Sequence, residues 1–256
     1  MEFISQDEKI ALEVLLTTGQ VMVSRREKFQ RVYDLRERVL PAWVDIRLPD
    51  EIETRNFFVA QGARALGVCL PEQPGDYVYM RRTRARPGVQ ALVASGELVP
   101  VQGILADGSA SDLVVHREIL PLLERAAAGE LAPQRTTFLS FFDSLFWARG
   151  RDQQLWNYKN TIEAYKPAPT RQWGYFCLSI LHRGQLVGRF DPKLERAAKR
   201  LRIKALYLEP GMQPDELLVT EMASALRDFM RFHQAVDLVI EHSDPPDFGE
   251  RLLAAL

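Results

Sequence analysis

The chain has 256 residues, of which 46% are hydrophobic, so it can form one large domain or two to three small ones with apolar cores. Its formal net charge of −1 does not indicate a nucleic-acid-binding protein, so the distribution of charge has to be considered. No apolar run approaches the roughly 18 residues that a membrane span requires, and Asp7 and Glu8 stand where a signal peptide would be basic. We therefore expect a cytoplasmic, nucleoid-associated protein that acts as a monomer away from membranes.

The N-terminal residues predict part of a winged helix. The pattern favours three elements, namely a helix over 7–18 that ends at Gly19, a strand over 21–23 and a strand over 29–35. This order matches a recognition helix and its wing without the two helices that normally support them. We therefore predict a partial winged helix over 1–40 and expect the chain to begin inside a domain.

A complete winged helix is predicted over 48–116. Its expected elements are helices over 51–66 and from Pro87 to Ser95, followed by strands over 96–99 and 112–116. The segment Leu92–Leu98 aligns with Leu15–Val21, so the order helix, glycine, strand, turn, strand occurs twice. A connecting helix is expected over 117–135.

Residues 136–256 predict a β-rich domain with a long helix. The expected strands cover 173–181, 186–191 and 201–209, with a turn at 182–185 between the first two. We interpret them as a small antiparallel sheet or part-barrel, which makes the whole chain α+β. A helix from Pro214 is expected to pack on this sheet through a stripe of apolar residues, namely Leu218, Met222, Leu226, Phe229 and Met230. Six aromatic residues are expected to plug the sheet: Phe138, Phe141, Phe142, Phe146, Trp147 and Trp156.

The same region carries three sequence motifs. They are Asp143-x3-Trp147-x-Arg149, Pro167-Ala168-Pro169, and Leu186-Val187-Gly188-Arg189 with Asp191. Together they resemble the C-terminal part of the winged-helix DNA glycosylases of the YcaQ/AlkZ type. The resemblance implies tandem winged helices, double-stranded DNA as the partner, and hydrolysis of the bond between an alkylated or crosslinked base and its sugar.

Basic residues suggest where DNA would bind. Residues 77–96 contain no acid but four arginines, namely Arg81, Arg82, Arg84 and Arg86. Beside a recognition helix these side chains would neutralise phosphates, although a solvated face would have the same composition. A similar role is assigned to the wing residues Arg25, Arg26 and Lys28.

Two further basic groups allow two interpretations each. Arg149 and Arg151 could reach DNA or could pair with Asp143 and Asp152, and for Arg149 we favour the structural role. His182 and Arg183 at a hairpin tip could enter a groove of DNA or form an ordinary polar turn. We include Arg151, His182 and Arg183 among the candidate DNA contacts.

No catalytic or metal-binding group is assigned. Cys69 and Cys177 are expected to be buried thiols, the four histidines have no metal-ligand spacing, and no cofactor is expected. The resemblance implies catalysis by a Gln-hydrophobic-Gln or Gln-hydrophobic-Asp triplet, which Gln30, Gln102 and Gln153-Gln154 do not form. We therefore expect the DNA-binding portion of a glycosylase. The alternatives are a non-enzymatic winged-helix DNA-binding or regulatory protein and a protein-interaction module.

Overall fold

A computed structural model describes residues 5–256 and shows an α+β protein. It divides into two compact units, Met1–Asp50 and Glu51–Leu256. The first four residues of the predicted 1–40 segment lie outside the described part of the chain. Within residues 5–256, no helix combines the length and apolar character needed to cross a bilayer.

The first unit is a helix followed by a two-stranded antiparallel hairpin. Its elements are α1 (Gln6–Thr17), β1 (Val21–Glu27), β2 (Gln30–Leu35) and α2 (Arg36–Val39). Ser5 and Glu8 form a reciprocal capping box that satisfies two backbone N–H groups at the start of α1. Gly19, at φ +72°, turns the chain into β1, because glycine adopts the left-handed region at no steric cost. The predicted helix and strands are confirmed, and β1 is longer than expected.

The second unit begins with helices and a three-stranded antiparallel sheet that share a core. The elements are α3 (Glu51–Leu66), β3 (Val68–Cys69), α4 (Gln73–Tyr77), α5 (Arg82–Ala94), β4 (Leu98–Ile104) and β5 (Ala110–His116), and the strand order is β3-β5-β4. Buried Val59, Leu92 and Leu98 belong to the core. The predicted start of α5 at Pro87 is wrong. The helix begins at Arg82, and Pro87 lies inside it.

The rest of this unit is organised around a larger sheet. The elements are α6 (Leu120–Ala127), β6 (Thr136–Leu139), α7 (Arg151–Trp156), β7 (Leu178–His182), β8 (Gln185–Glu195), β9 (Arg200–Leu208), α8 (Glu216–Phe232), β10 (Asp237–Ile240), β11 (Ser243–Asp244) and α9 (Pro246–Ala255). The strands lie in the order β10-β9-β8-β7-β6, and β11 also pairs with β9. The predicted packing of α8 is confirmed, because Leu218, Met222 and Leu226 are buried in the sheet core.

The sheet differs from the prediction in its strand directions. β10 and β11 run parallel to β9, so the sheet is mixed, and the described strands do not close into a barrel. The cause is the crossover through α8, which returns the chain to the same edge in the same direction. The strand predicted over 173–181 begins only at Leu178, since the backbone N–H of Trp173 donates to the Glu163 carboxylate and not to a neighbouring strand.

The aromatic residues of 138–156 do not form a single plug. Phe138 packs edge-on against Phe190 in the sheet core, with ring centroids 4.7 Å apart. Trp147 contacts Tyr77 at the end of α4, at 5.2 Å. The aromatic segment therefore joins the two cores of the second unit.

Candidate nucleic-acid interface

Four arginines cluster at the N-terminal end of α5. Arg81 immediately precedes the helix, while Arg82, Arg84 and Arg86 lie in its first turns, and all four are exposed. The other face of α5 is buried through Ala85, Gly88, Val89 and Leu92. This burial fixes the helix so that its basic end faces solvent.

Two of these arginines have internal partners. Arg82 binds the Asp76 carboxylate in a bidentate manner, with Nε 3.0 Å from both oxygens and one terminal nitrogen 2.5 Å from Oδ2. This hydrogen bond raises the pKa of Arg82. Arg84 lies 3.3 Å from Glu51, and because both side chains are mainly exposed, the pair is weak and open to competition.

The other two are free to bind an external anion. The side chains of Arg81 and Arg86 have no hydrogen-bond or ion-pair partner among residues 5–256. Both lie at the positive end of the helix dipole, where an uncompensated cation costs about 0.3–1 kcal/mol. A phosphate at this end would meet unpaired backbone N–H groups as well as two guanidinium groups.

A cleft of about 430 Å³ opens beside this end of α5. Arg82, Thr83 and Arg86 are among the residues that line it, together with Pro71 and Glu72. Glu72 lies 3.8 Å from Arg82, so it adds to the neutralisation of that arginine and leaves Arg86 as the uncompensated charge. The volume is sufficient for a nucleotide-sized group.

Asp76 connects α5 to the segment after α6, and sequence reasoning missed it. Its side chain is 1% exposed, and besides Arg82 it accepts a hydrogen bond from the backbone N–H of Arg149 at 3.2 Å. The only signal in the sequence is its position as the last acid before the acid-free stretch 77–96. Asp76 therefore holds two basic segments next to each other.

The predicted pairing of Arg149 with Asp143 and Asp152 is wrong. Those two carboxylates accept the backbone N–H groups of Leu145 and Asn160, at 3.0 and 2.7 Å. The Arg149 side chain is 83% exposed, and its Nε lies 3.9 Å from Asp76. Its guanidinium group therefore faces solvent beside the α5 arginines.

Arg151 has a structural position. It is 4% exposed, and its terminal nitrogens donate to the backbone carbonyls of Val68 at 2.9 Å and Leu66 at 2.8 Å. Burial lowers the pKa of Arg151. Because these bonds hold α7 against the end of α3, we remove Arg151 from the candidate DNA contacts.

The hairpin tip with His182 and Arg183 is tied to α8. Arg183 donates to Glu221 Oε1 from one terminal nitrogen at 2.5 Å and from Nε at 2.9 Å, and His182 Nδ1 lies 3.3 Å from the same carboxylate. The hydrogen bond from Arg183 lowers the pKa of Glu221. These contacts favour the polar-turn interpretation, and insertion into a DNA groove stays a prediction.

The wing of the first unit keeps a basic surface. Arg25 pairs with Glu27 at 2.8 Å, whereas Arg26 stands opposite Arg31 in the strand register. Arg31 pairs with Glu13 at 3.0 Å, so a carboxylate of the protein itself offsets the two like charges placed opposite each other. Lys28 is exposed at the tip, so a phosphate contact here also stays a prediction.

A family comparison now gives these surfaces a context. A family model described as DNA glycosylase AlkZ-like matches residues 2–232. The chain belongs to the AlkZ-like DNA glycosylase family. The function of this family is DNA repair by glycosylase activity, so the resemblance found in the sequence is confirmed. No solved structure matches the chain.

Three carboxylates near the larger sheet of this AlkZ-like protein are engaged in holding the fold. Burial by itself raises the pKa of Glu163, but hydrogen bonds from Lys166 and from backbone N–H groups, including that of Trp173, outweigh it and lower the pKa to about 2. Asp191 accepts two backbone N–H groups of the same loop, at 2.8 and 3.3 Å. Glu209 binds a buried arginine at 2.6 Å. All three carboxylates therefore have a structural role in the fold.

The family's catalytic pattern has one distant likeness in this sequence. Gln213-Pro214-Asp215 is the only place where a glutamine stands two positions before an aspartate or another glutamine. Asp215 caps α8, with its carboxylate accepting the backbone N–H of Leu218 at 2.7 Å. We therefore assign no catalytic residue.

The cysteines do not suggest a reactive or metal-binding site. Burial raises the pKa of both Cys69 and Cys177 to about 12, which keeps the thiols protonated. Cys69 is buried as predicted, and Cys177 is partly exposed. In the described part of the chain, no three His, Cys, Asp or Glu side chains are grouped so that they could hold a metal.

Proposed function

We propose that this chain binds duplex DNA with weak sequence preference, as the DNA-binding portion of an AlkZ-like glycosylase for alkylated or crosslinked bases. One observation carries the proposal: Arg81 and Arg86 are exposed at the positive end of α5 and have no side-chain partner within residues 5–256, in a chain of this family. We propose a cytoplasmic, nucleoid-associated location, where the protein acts as a monomer.

We interpret two parts of the chain as winged-helix modules. Residues 1–40, with α1 before the β1–β2 hairpin, would be a partial module, and 48–116, with α5 before β4 and β5, would be a complete one. Residues 117–135 would connect them to the β-rich domain 136–256. In such modules the helix before the hairpin contacts DNA, which agrees with the basic end of α5.

Weak sequence preference follows from the chemistry of the contacts. Guanidinium groups at a helix end, with unpaired N–H groups beside them, recognise phosphates, and phosphate contacts carry no sequence information. Each contact releases counterions from DNA, so affinity should fall steeply with salt. Arg25, Arg26, Lys28 and Arg84 would add to this nonspecific term.

Catalysis is not part of the proposal for these 256 residues. Water attack on the sugar needs a group that orients the water, whereas Glu163, Asp191, Glu209 and Asp215 each hold part of the fold through backbone or side-chain donors. This observation also supports a second candidate function, a winged-helix DNA-binding protein without enzymatic activity.

Anisotropy titrations of a labelled duplex at increasing salt test the binding. We expect log K to fall linearly with log salt, and an affinity independent of salt would contradict the proposal. Incubation with a duplex that carries a methylated purine, followed by alkaline cleavage, tests catalysis. Strand breaks above the protein-free control would show an active site in these residues.

A further inference from the structure

Two exposed aromatic rings lie next to each other beside the basic end of α5. Tyr79, between α4 and α5, is 84% exposed, and Trp147 is 41% exposed. Their ring centroids are 6.0 Å apart with an interplanar angle of 51°. We call this pair the aromatic platform. The binding surface described above does not use it.

The platform is supported from behind. Trp147 packs against the half-buried Tyr77, which contacts the core of the smaller sheet. The indole Nε1 of Trp147 donates to the backbone carbonyl of Phe142 at 2.9 Å, and this bond fixes the orientation of the ring. A ring that is held on one side and open on the other is suited to stacking.

The backbone at Tyr79 is unfavourable for a tyrosine. Its φ is +55°, in the left-handed region that closes a helix end and that glycine normally occupies there. A non-glycine residue in this conformation is strained. The Tyr79 side chain is exposed, and its ring contacts that of Trp147.

The charges around the platform identify the class of ligand. Arg81 follows Tyr79 by two residues, and the exposed Arg149 follows Trp147 by two residues. Cations near both rings disfavour a cationic ligand of the kind that aromatic cages bind. Aromatic faces next to guanidinium groups match a nucleotide, whose base stacks while its phosphates meet the arginines.

We propose that the aromatic platform binds an unpaired base of DNA, with Arg81 and Arg149 contacting the adjoining phosphates. The bases of an intact duplex already stack on each other, so only an extrahelical or single-stranded base can offer its face. The inference rests on the proposed function, since the α5 arginines would bring the duplex to this place. The aromatic platform would add a preference for DNA with an unpaired base, which phosphate contacts alone do not supply.

The test compares two labelled duplexes of the same sequence, one fully paired and one with a single bulged base, titrated with the full chain. Stacking one base on an aromatic ring corresponds to about a tenfold gain in affinity. We expect this preference for the bulged duplex in the native chain and in Tyr79→Phe, which keeps the ring. It should disappear in Tyr79→Ala and Tyr79→Gly. Glycine suits the backbone conformation, so this variant should fold at least as well as the native chain.

Tyr165→Ala is the matched control, because Tyr165 is another exposed aromatic residue, at 88%, remote from the arginines in sequence. It should keep the preference. Equal affinity of the native chain for both duplexes, or an unchanged preference in Tyr79→Gly, would contradict base binding by the aromatic platform. Salt-dependent binding to the paired duplex would then still support the proposed function. Absence of that binding would instead overturn the proposed function.

Discussion

Replacing Glu163 by Gln tests whether one carboxylate holds the long loop before β7. The Glu163 side chain is 3% exposed and accepts hydrogen bonds from Lys166 Nζ at 2.8 Å and from the backbone N–H of Trp173 at 2.7 Å. Glutamine keeps the shape but removes the charge that makes these bonds strong. We therefore expect Glu163→Gln to be destabilising at neutral pH.

The magnitude follows from the pKa of Glu163, which is about 2 in the folded protein against an ordinary value of 4.5. Because the folded pKa is the lower one, the carboxylate stabilises the fold above pH 4.5, and this stabilisation is lost as the pH falls towards 2. The difference corresponds to about 3 kcal/mol at neutral pH. Solvent screens the half-exposed Lys166, so we expect about 2 kcal/mol.

Urea unfolding of the native chain and of Glu163→Gln at neutral and at acidic pH measures this difference. The two free energies of unfolding should converge as the pH is lowered, with roughly half of the difference lost near pH 3. Glu124→Gln, on an exposed position of α6, is the control and should match the native chain throughout. A difference that is the same at neutral and acidic pH would refute the reasoning.

Three further comparisons test other parts of the fold. Arg151→Met leaves two buried carbonyls without donors and should lower the free energy of unfolding by about 2–4 kcal/mol in urea titrations; a loss below about 1 kcal/mol would contradict its structural role. Leu226→Ala, in the sheet core, should lower the free energy of unfolding by about 3 kcal/mol, whereas Leu253→Ala, on the exposed side of α9, should change it little. Equal losses in the two variants would contradict the assigned core. Lys28 and Phe29, both at positive φ, form the two-residue turn between the paired Glu27 and Gln30. Lys28→Asn with Phe29→Gly supplies the residues that such a turn prefers, so amide exchange in β1 and β2 should slow, and faster exchange would contradict this turn.

Periodic segments could be predicted from the sequence. The helix over 51–66 matches α3, and the buried stripe of α8 matches its apolar spacing, because one face of each helix packs against a core. Strand direction could not be predicted, since the parallel pairing of β10 with β9 depends on the path of the α8 crossover. The start of α5 was missed because Arg82 is fixed by Asp76, a contact that local propensity does not contain.

The candidate site, too, could be predicted only in part from the sequence. The acid-free stretch predicted a basic surface, and the arginines there are exposed. Composition alone does not tell which arginines are free, and here Arg82 is neutralised while Arg81 and Arg86 have no described partner. The buried position of Arg151 depends on carbonyls more than eighty residues earlier in the chain. Such pairings become visible only in three dimensions.

The measurement that tests DNA binding by α5 most directly is the salt dependence of duplex affinity in Arg81→Ala/Arg86→Ala. Each lost phosphate contact should reduce the slope of log K against log salt by about 0.9, so the double variant should lose about 1.8. Lys193→Ala/Arg196→Ala removes the same charge from exposed residues at the β8–β9 end and should keep the native slope. A double variant in α5 with the native slope, or equal losses in both variants, would contradict the account.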